Sequence, residues 1–320
     1  MEYRKENQHL SITTRCATKR LRYLSRFISI IRFDACEVLE VLGSIYKNES
    51  AIWAKTWVAE FFIPLLPQSI QAMEYIRVTK ENIEQEHICC AISNNKDIQV
   101  ASKKAWLAAR FEEGLVFLKS VERGKCFIEY IPAENAWNPI VADNYMYIDC
   151  LWVSGSFKGN GYSNDLLNAC IRDSKEKGKS GLCILSSAKK RPFLADPKYL
   201  SHKGFAVCDE ADNGIQLWYL PFAKNAEAPK FKACAKHPHV DEKGYVLYYT
   251  SQCPFNAKYV PVLEAIAKEK GVPFKAIHLQ SKSEAQNAPT PITTYAFFRD
   301  GAYLTNEQMN DKRFLKVLNE

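Results

Sequence analysis

Residues 152 to 170 read WVSGSFKGNGYSNDLLNAC, and Gly159 and Gly161 stand there one residue apart, between an apolar run and an amphipathic one. Neither a strand nor a helix interior favours glycine, which loses more backbone freedom on folding than any other residue. A strand that enters a helix through glycines presents successive backbone N–H groups at the helix N-terminus, a site for an anion. Side chains at Gly159 and Gly161 would obstruct a phosphate approaching those amides, and Lys158 adds a mobile positive charge beside them. A plain strand-to-helix turn is the competing reading of so short a pattern. Two phosphate-binding patterns do not apply. The stretch lacks the Gly-Lys-Ser/Thr of a P-loop, and it lies mid-domain without the parallel βαβ unit or later acidic residue of a dinucleotide fold.

What flanks the glycines decides between these readings. The chain of 320 residues has room for two domains, each with its own core. Residues 1–72 open with a basic run (Arg15, Lys19, Arg20, Arg22, Arg26, Arg32), and apolar residues at helical spacing follow. They form an expected helical basic N-terminal extension. A second α/β region spans 73–222. It holds a strand at Tyr75–Val78, a helix capped by Thr79 with Asn82 at the capping-box position, and a helix from Ile98 to Glu113 ended by Gly114. A hairpin flanking Glu-Arg-Gly, the strand YMYIDCLWV, and a helix from Tyr162 to Lys177 come next. The strand GLCILSS, a short helix from Pro197 to Lys203 and the strand IQLWYLPF complete it. Residues 223–243 carry prolines and no apolar period and read as a linker, and 244–320 is a compact β-α-β-β-α string closed by a helix over Asn306 to Leu318.

This order of elements, with its glycine loop, resembles the Gcn5-related N-acetyltransferases (GNAT) over about Met73 to Phe222. The family's Arg/Gln-x-x-Gly-x-Gly/Ala matches Lys158-Gly159-Asn160-Gly161-Tyr162-Ser163, with lysine in place of arginine or glutamine and serine in place of the last small residue. The resemblance implies a mixed, mostly antiparallel sheet with flanking helices. It implies that the amides of Lys158 to Asn164 (Lys158, Gly159, Asn160, Gly161, Tyr162, Ser163, Asn164) hold the pyrophosphate of acetyl-coenzyme A as cosubstrate. The strand end at Leu151, Trp152 and Val153 would pair with the pantetheine arm, as a sheet edge accepts an extended peptide.

Acetyl transfer needs a neutral amine, a polarised thioester carbonyl and a proton for the departing thiolate. Glu129 and Asp149, on adjacent expected strands, are candidate bases, Asp149 alternating with Tyr147 and Leu151 on one face. In the family a tyrosine four residues before a Gly-Phe pair often supplies the proton. Here Tyr199 stands five before Gly204, which turns its side chain by about 100° on a helix, so core packing competes with an acid role. The acceptor implied is a primary amine of a small molecule or peptide.

The C-terminal string places Cys253 after a strand, with Pro254 opening a helix. A helix N-terminus lowers a cysteine pKa, which makes Cys253 a redox candidate. The string resembles the thioredoxin/glutaredoxin fold, and Thr290-Pro291-Ile292 resembles its signature, in which the proline is cis and lies beside the cysteine. The second cysteine of the family's motif is missing from Cys253-Pro254-Phe255-Asn256, which leaves a monothiol role or a redox-inactive domain. An acetyltransferase followed by such a module resembles the YoaP-like acetyltransferases.

The remaining features exclude little. Eleven scattered cysteines without regular spacing suit reduced thiols and a cytoplasmic location. No stretch is a membrane span: Ala51 to Leu66 is interrupted by Lys55 and Glu60 and closed by prolines. Cys234, His237 and His239 are crowded in one stretch without a fourth ligand, so no metal is expected. The net charge of +7 suits an anionic partner, and the basic extension keeps a nucleic-acid-binding regulator as the alternative, although no helix-turn-helix pattern supports it. Homodimer formation stays open. MEYIRVTKEN at Met73 has the form of a natural start, so the enzyme is expected not to need residues 1–72.

Overall fold

Alternating apolar runs between Tyr75 and Pro221 build a seven-stranded sheet. Its strands are β1 (Tyr75–Val78), β2 (Val116–Ser120), β3 (Cys126–Pro132), β5 (Tyr145–Val153), β6 (Gly181–Ser187), β7 (Ala206–Glu210) and β8 (Ile215–Pro221). The spatial order is β1-β2-β3-β5-β6-β8-β7, antiparallel throughout except between β5 and β6. In this computed structural model residues 73–91 and 94–320 are described, and Met73–Glu320 is a compact unit. The helical extension expected over 1–72 lies outside the described residues.

Both sheet faces are covered. Helix α1 (Ile98–Arg110) is capped by Asp97, whose side chain accepts from the Gln99 amide, and buries Val100, Trp106 and Leu107 on one face. Helix α2 (Tyr162–Glu176) lays Leu166, Leu167 and Cys170 on the other, beside Leu200 of α3 (Pro197–His202). The helix expected after β1 is instead a run of turns. Asn82 spends its side chain on the backbone, accepting from the Thr79 amide at 2.8 Å and donating to the Arg77 carbonyl at 3.0 Å. Such local bonds compete with helix propagation.

The stretch 223–243, read as a linker, is not featureless. It carries β9 (Lys230–Phe231), paired with β4 (Ile140–Val141), and the short helix α4 (Ala233–Lys236). Phe231 is buried and its amide donates to Asp209 of β7 at 2.8 Å, while Lys236 forms an ion pair with the same carboxylate. Phe231 and Ala235 are isolated apolar residues, too few to make a period.

The C-terminal module is a second, four-stranded sheet. Its strands are β10 (Tyr245–Tyr249), β11 (Phe274–His278), β12 (Tyr295–Arg299) and β13 (Ala302–Thr305), in the order β11-β10-β12-β13. Helix α5 (Phe255–Lys270) makes the crossover that lets β10 and β11 run parallel. The β12–β13 hairpin turns at Asp300 and Gly301, both with positive φ (50° and 89°), as a two-residue hairpin turn requires. Two further helices follow the cap chemistry. Helix α6 (Lys282–Gln286) has a Ser281/Glu284 capping box, and α7 (Asp311–Leu318) starts later than Asn306 because Asn310 caps it.

The two modules share a core. Leu279, Ala285, Ala288 and Ile292 pack in one cluster with Ile131, Trp137 and Trp106 of the first module. The Thr293 hydroxyl donates to the Trp137 carbonyl at 2.6 Å, Asn138 to the Pro291 carbonyl at 3.0 Å, and Gln286 to the Ala136 carbonyl at 2.8 Å. No peptide bond among the described residues is cis, so the cis proline expected at Thr290–Pro291 is trans. The backbone around it is instead occupied by these bonds to the first module.

Candidate active site

Strands β5 and β6 part company half-way. Their pairing runs only from Tyr145↔Gly181 to Ile148↔Ile184, yet β5 continues along β3 to Val153 and β6 continues along β8 to Ser187. Residues 149–153 therefore keep one strand edge free of β6. At that fork the β3–β5 register shifts, because Tyr130 faces Ile148 and Glu129 faces Cys150, leaving Asp149 as the extra residue of a bulge. The bulge changes the faces. Ile148, Leu151 and Val153 pack with the α2 core, whereas Tyr147, Cys150 and Trp152 pack on the opposite side. Asp149 thus shares a face with Tyr147 and Cys150 and not, as strict alternation implied, with Leu151.

Beyond Val153 the chain makes a single 3-10 turn, Gly155–Phe157, anchored by the buried Phe157, and reaches the glycines. Gly159 and Gly161 take φ of 88° and 87°, a left-handed backbone that other residues adopt at a cost. A Cβ on either would meet nothing within 4 Å, so the loop also faces open space. Gly161 precedes α2 without any side-chain cap. The amides of residues 159 to 163 donate to no protein acceptor among the described residues. Lys158 is exposed beside them, and Asn160 steadies the loop by donating to the Ser156 carbonyl at 3.1 Å. Tyr162 packs its ring on Phe157 at 6.1 Å, and the Asn164 amide closes the first helical turn on Gly161 at 2.8 Å. The Tyr199 hydroxyl donates to the Ser163 carbonyl at 2.9 Å. Burial raises the Tyr199 pKa, opposed by the Ser163 side chain and reinforced by Asp165.

A buried charge cluster lies on the other side of β5. Lys103 of α1 donates to both oxygens of Glu129, at 2.8 and 2.6 Å, with both side chains 1% exposed. Burial works against the Lys103 charge, but Glu129 and Cys90 outweigh it and hold the ammonium above its usual pKa. With both oxygens committed, Glu129 is poorly placed to take a proton from an amine. Asp149 is different. Burial, and then the Glu129 charge, push its pKa well above the usual carboxylate range, against the opposing pull of Lys103 and of Gln252, whose Nε2 donates to Asp149 Oδ1 at 3.1 Å.

Cys253 sits beside Gln252, half-buried, its thiol donating to Gln308 at 3.8 Å. The helix amide of Phe255 and the Lys103 charge do favour its thiolate, yet burial prevails and its pKa is raised rather than lowered. Burial therefore opposes the thiolate activation expected at the helix N-terminus. Nor is the thiol isolated, since Cys90 and Cys150, both with pKa raised chiefly by burial, lie within its electrostatic reach.

Sequence reading missed Lys103 and Gln252. Lys103 carried a signal: it stands three after Val100 and four before Leu107, on the buried stripe of an amphipathic helix. Gln252 carried none. The three residues considered for zinc do not converge. Cys234 is exposed, His237 pairs with Asp212 at 2.6 Å, and no potential metal cluster is found among the described residues. His237 and Asp212 instead line an open cleft of about 690 Å³ with Arg191, Tyr303 and Glu307, to which β5 contributes no residue.

Residues 80–191 match the acetyltransferase (GNAT) family, and residues 273–316 match the YoaP-like family. The chain is 46% identical over 248 residues to "Uncharacterized N-acetyltransferase YoaP" of Bacillus subtilis (strain 168), covering 77% of this chain and 99% of that protein. The chain is a YoaP-type GNAT N-acetyltransferase. Among solved structures, a GNAT-family acetyltransferase of Desulfovibrio desulfuricans is 14% identical, with 48% of this chain and 100% of that one covered and a TM-score of 0.36. YncA of Salmonella typhimurium, solved with acetyl-CoA, is 15% identical, with 51% and 100% covered and a TM-score of 0.35. For the YoaP-type enzyme described here, the forked strands and glycine loop are the part inside the GNAT match, and Cys253 lies outside both matched segments.

Proposed function

We propose that this chain transfers the acetyl group of acetyl-CoA to a primary amine of a small molecule or peptide. The observation that carries the reading is the row of unused amides at residues 159 to 163, opening α2 next to a strand edge free from residue 149 onward. Family membership supplies the reaction class. Acetyl-CoA, when bound, supplies the activated acetyl group and a thiolate leaving group.

The chain's own residues divide the remaining work. Amides of Gly159, Asn160, Gly161, Tyr162 and Ser163, with the α2 dipole and the Lys158 charge, receive the pyrophosphate. Leu151, Trp152 and Val153 offer main-chain groups to the pantetheine amides, Tyr162 lies alongside, and Asn164 keeps the first turn of α2 closed. Asp149 takes the proton of the incoming ammonium, its raised pKa bringing it closer to working pH than an ordinary carboxylate. Glu129, locked to Lys103, supplies the charge that helps raise Asp149. Tyr199 spends its hydroxyl on Ser163 and anchors the loop, so we assign it support rather than proton donation. The strand order of the C-terminal module supports a thioredoxin-like reading, with Cys253 as a half-buried monothiol. No described helix is long and apolar enough to cross a membrane, and we place the enzyme in the cytoplasm, without nucleic acid as a partner.

The test is coenzyme A release from acetyl-CoA across a panel of polyamines, amino acids and peptide N-termini. At least one amine should raise release well above the rate without acceptor. Uniform background with all of them would remove the reading.

A further inference from the structure

The C-terminal module lays a polar side chain directly on the bulge of β5. Gln252, 6% exposed, donates from Nε2 to Asp149 Oδ1 at 3.1 Å across 103 residues of chain. The carbonyl oxygen of the same amide is buried and has no donor among the described residues. A buried amide oxygen without a partner is unfavourable, and a leucine would fill similar volume without that cost. Packing alone therefore does not account for a glutamine at this position.

The neighbours of Asp149 sharpen the point. Glu129 faces it from β3, Lys103 from α1, Tyr147 from its own strand and the Cys183 thiol from β6. Lys103 is committed to Glu129 through two short bonds. Gln252 is the neutral donor that reaches the carboxyl itself. We propose that Gln252 is a positioning residue of the transfer site, fixing the orientation of the Asp149 carboxyl and favouring its ionised form. The inference rests on Asp149 being the base. It makes the C-terminal module a contributor to the catalytic unit, although Cys253 itself need not react.

A hydrogen bond donated to a carboxylate favours the charged form, so Gln252 works against burial and Glu129, and its loss should raise the Asp149 midpoint. The full chain, carrying carboxyl-13C aspartate and saturated with coenzyme A, can be titrated by NMR, with Asp149→Asn identifying the resonance. Gln252→Leu should move the midpoint up by about half a pH unit or more. Gln252→Glu should move it further, because two carboxyls then compete for one proton. Calorimetric affinity for coenzyme A should stay as in the wild type, since the phosphate loop lies on the other module. An unmoved midpoint in whichever variant folds overturns the proposal. A wild-type chain that fails to bind coenzyme A overturns instead the function on which it rests, a result read separately from the midpoint.

Discussion

As the proposed base, Asp149 would serve function at the expense of stability. Its pKa is raised in the folded chain, so the folded state holds a proton that the unfolded state releases more readily. Stability therefore falls as pH rises from the ordinary aspartate range toward the raised value, and no penalty exists below that range. Asp149→Asn keeps an oxygen for the Gln252 amide and removes the titration. At pH 8 the variant should melt a few degrees above the wild type, and the difference should vanish near pH 3, by scanning calorimetry. Its turnover should fall by about 10²- to 10⁴-fold, and the rise of kcat/KM with pH should disappear. A variant as active as the wild type, or one less stable at pH 8, would contradict this assignment.

At the scale of elements, strands and helices with a clear apolar period were legible in the sequence, and irregular backbone was not. GLCILSS, YMYIDCLWV and the hairpin at Asp300-Gly301 fall where their patterns put them. The bulge at Asp149 left no mark, because the register of a strand depends on its partner and no glycine or proline flags the shift. The segment after β1 misled for a related reason, since Thr79 and Asn82 suit a helix cap and a local turn equally well. Of the candidate site, the glycine loop was legible as glycine spacing, whereas Gln252 was not, because it arrives from another sheet. The two kinds of glycine separate by experiment. Gly301 has positive φ, and an added Cβ would meet His239 at 2.6 Å and the Val240 carbonyl at 2.7 Å. Gly159 has positive φ but open space around it. Gly159→Ala should cost about 1–2 kcal/mol, and Gly301→Ala measurably more, by urea unfolding. Equal losses would show that the contact at Gly301 is not tight.

At the scale of the whole molecule, residues 73–320 form a single compact unit in which the C-terminal module caps one face of the first sheet. Sequence reading placed a linker between two independent domains because Phe231, Ala235 and Ile292 mark the packing only once the fold brings them together. Ile292, 4% exposed in the shared cluster, should cost about 2–5 kcal/mol when replaced by alanine. Its loss should lower one cooperative transition rather than split it in two. A chain beginning at Met73 should retain that transition and its affinity for acetyl-CoA. A chain ending at Phe222 should expose the apolar face around Ile131 and Trp137 and aggregate.

The central claim is that the glycine loop holds acetyl-CoA through its amides. Isothermal calorimetry of acetyl-CoA with the wild-type chain and with Gly161→Val tests it most directly. Valine at φ 87° both strains the backbone and covers the open side of the amides. Saturable binding by the wild type, with affinity lowered at least about 100-fold in a variant that keeps its circular dichroism spectrum, is the result predicted. Equal affinity in the two folded proteins would contradict it.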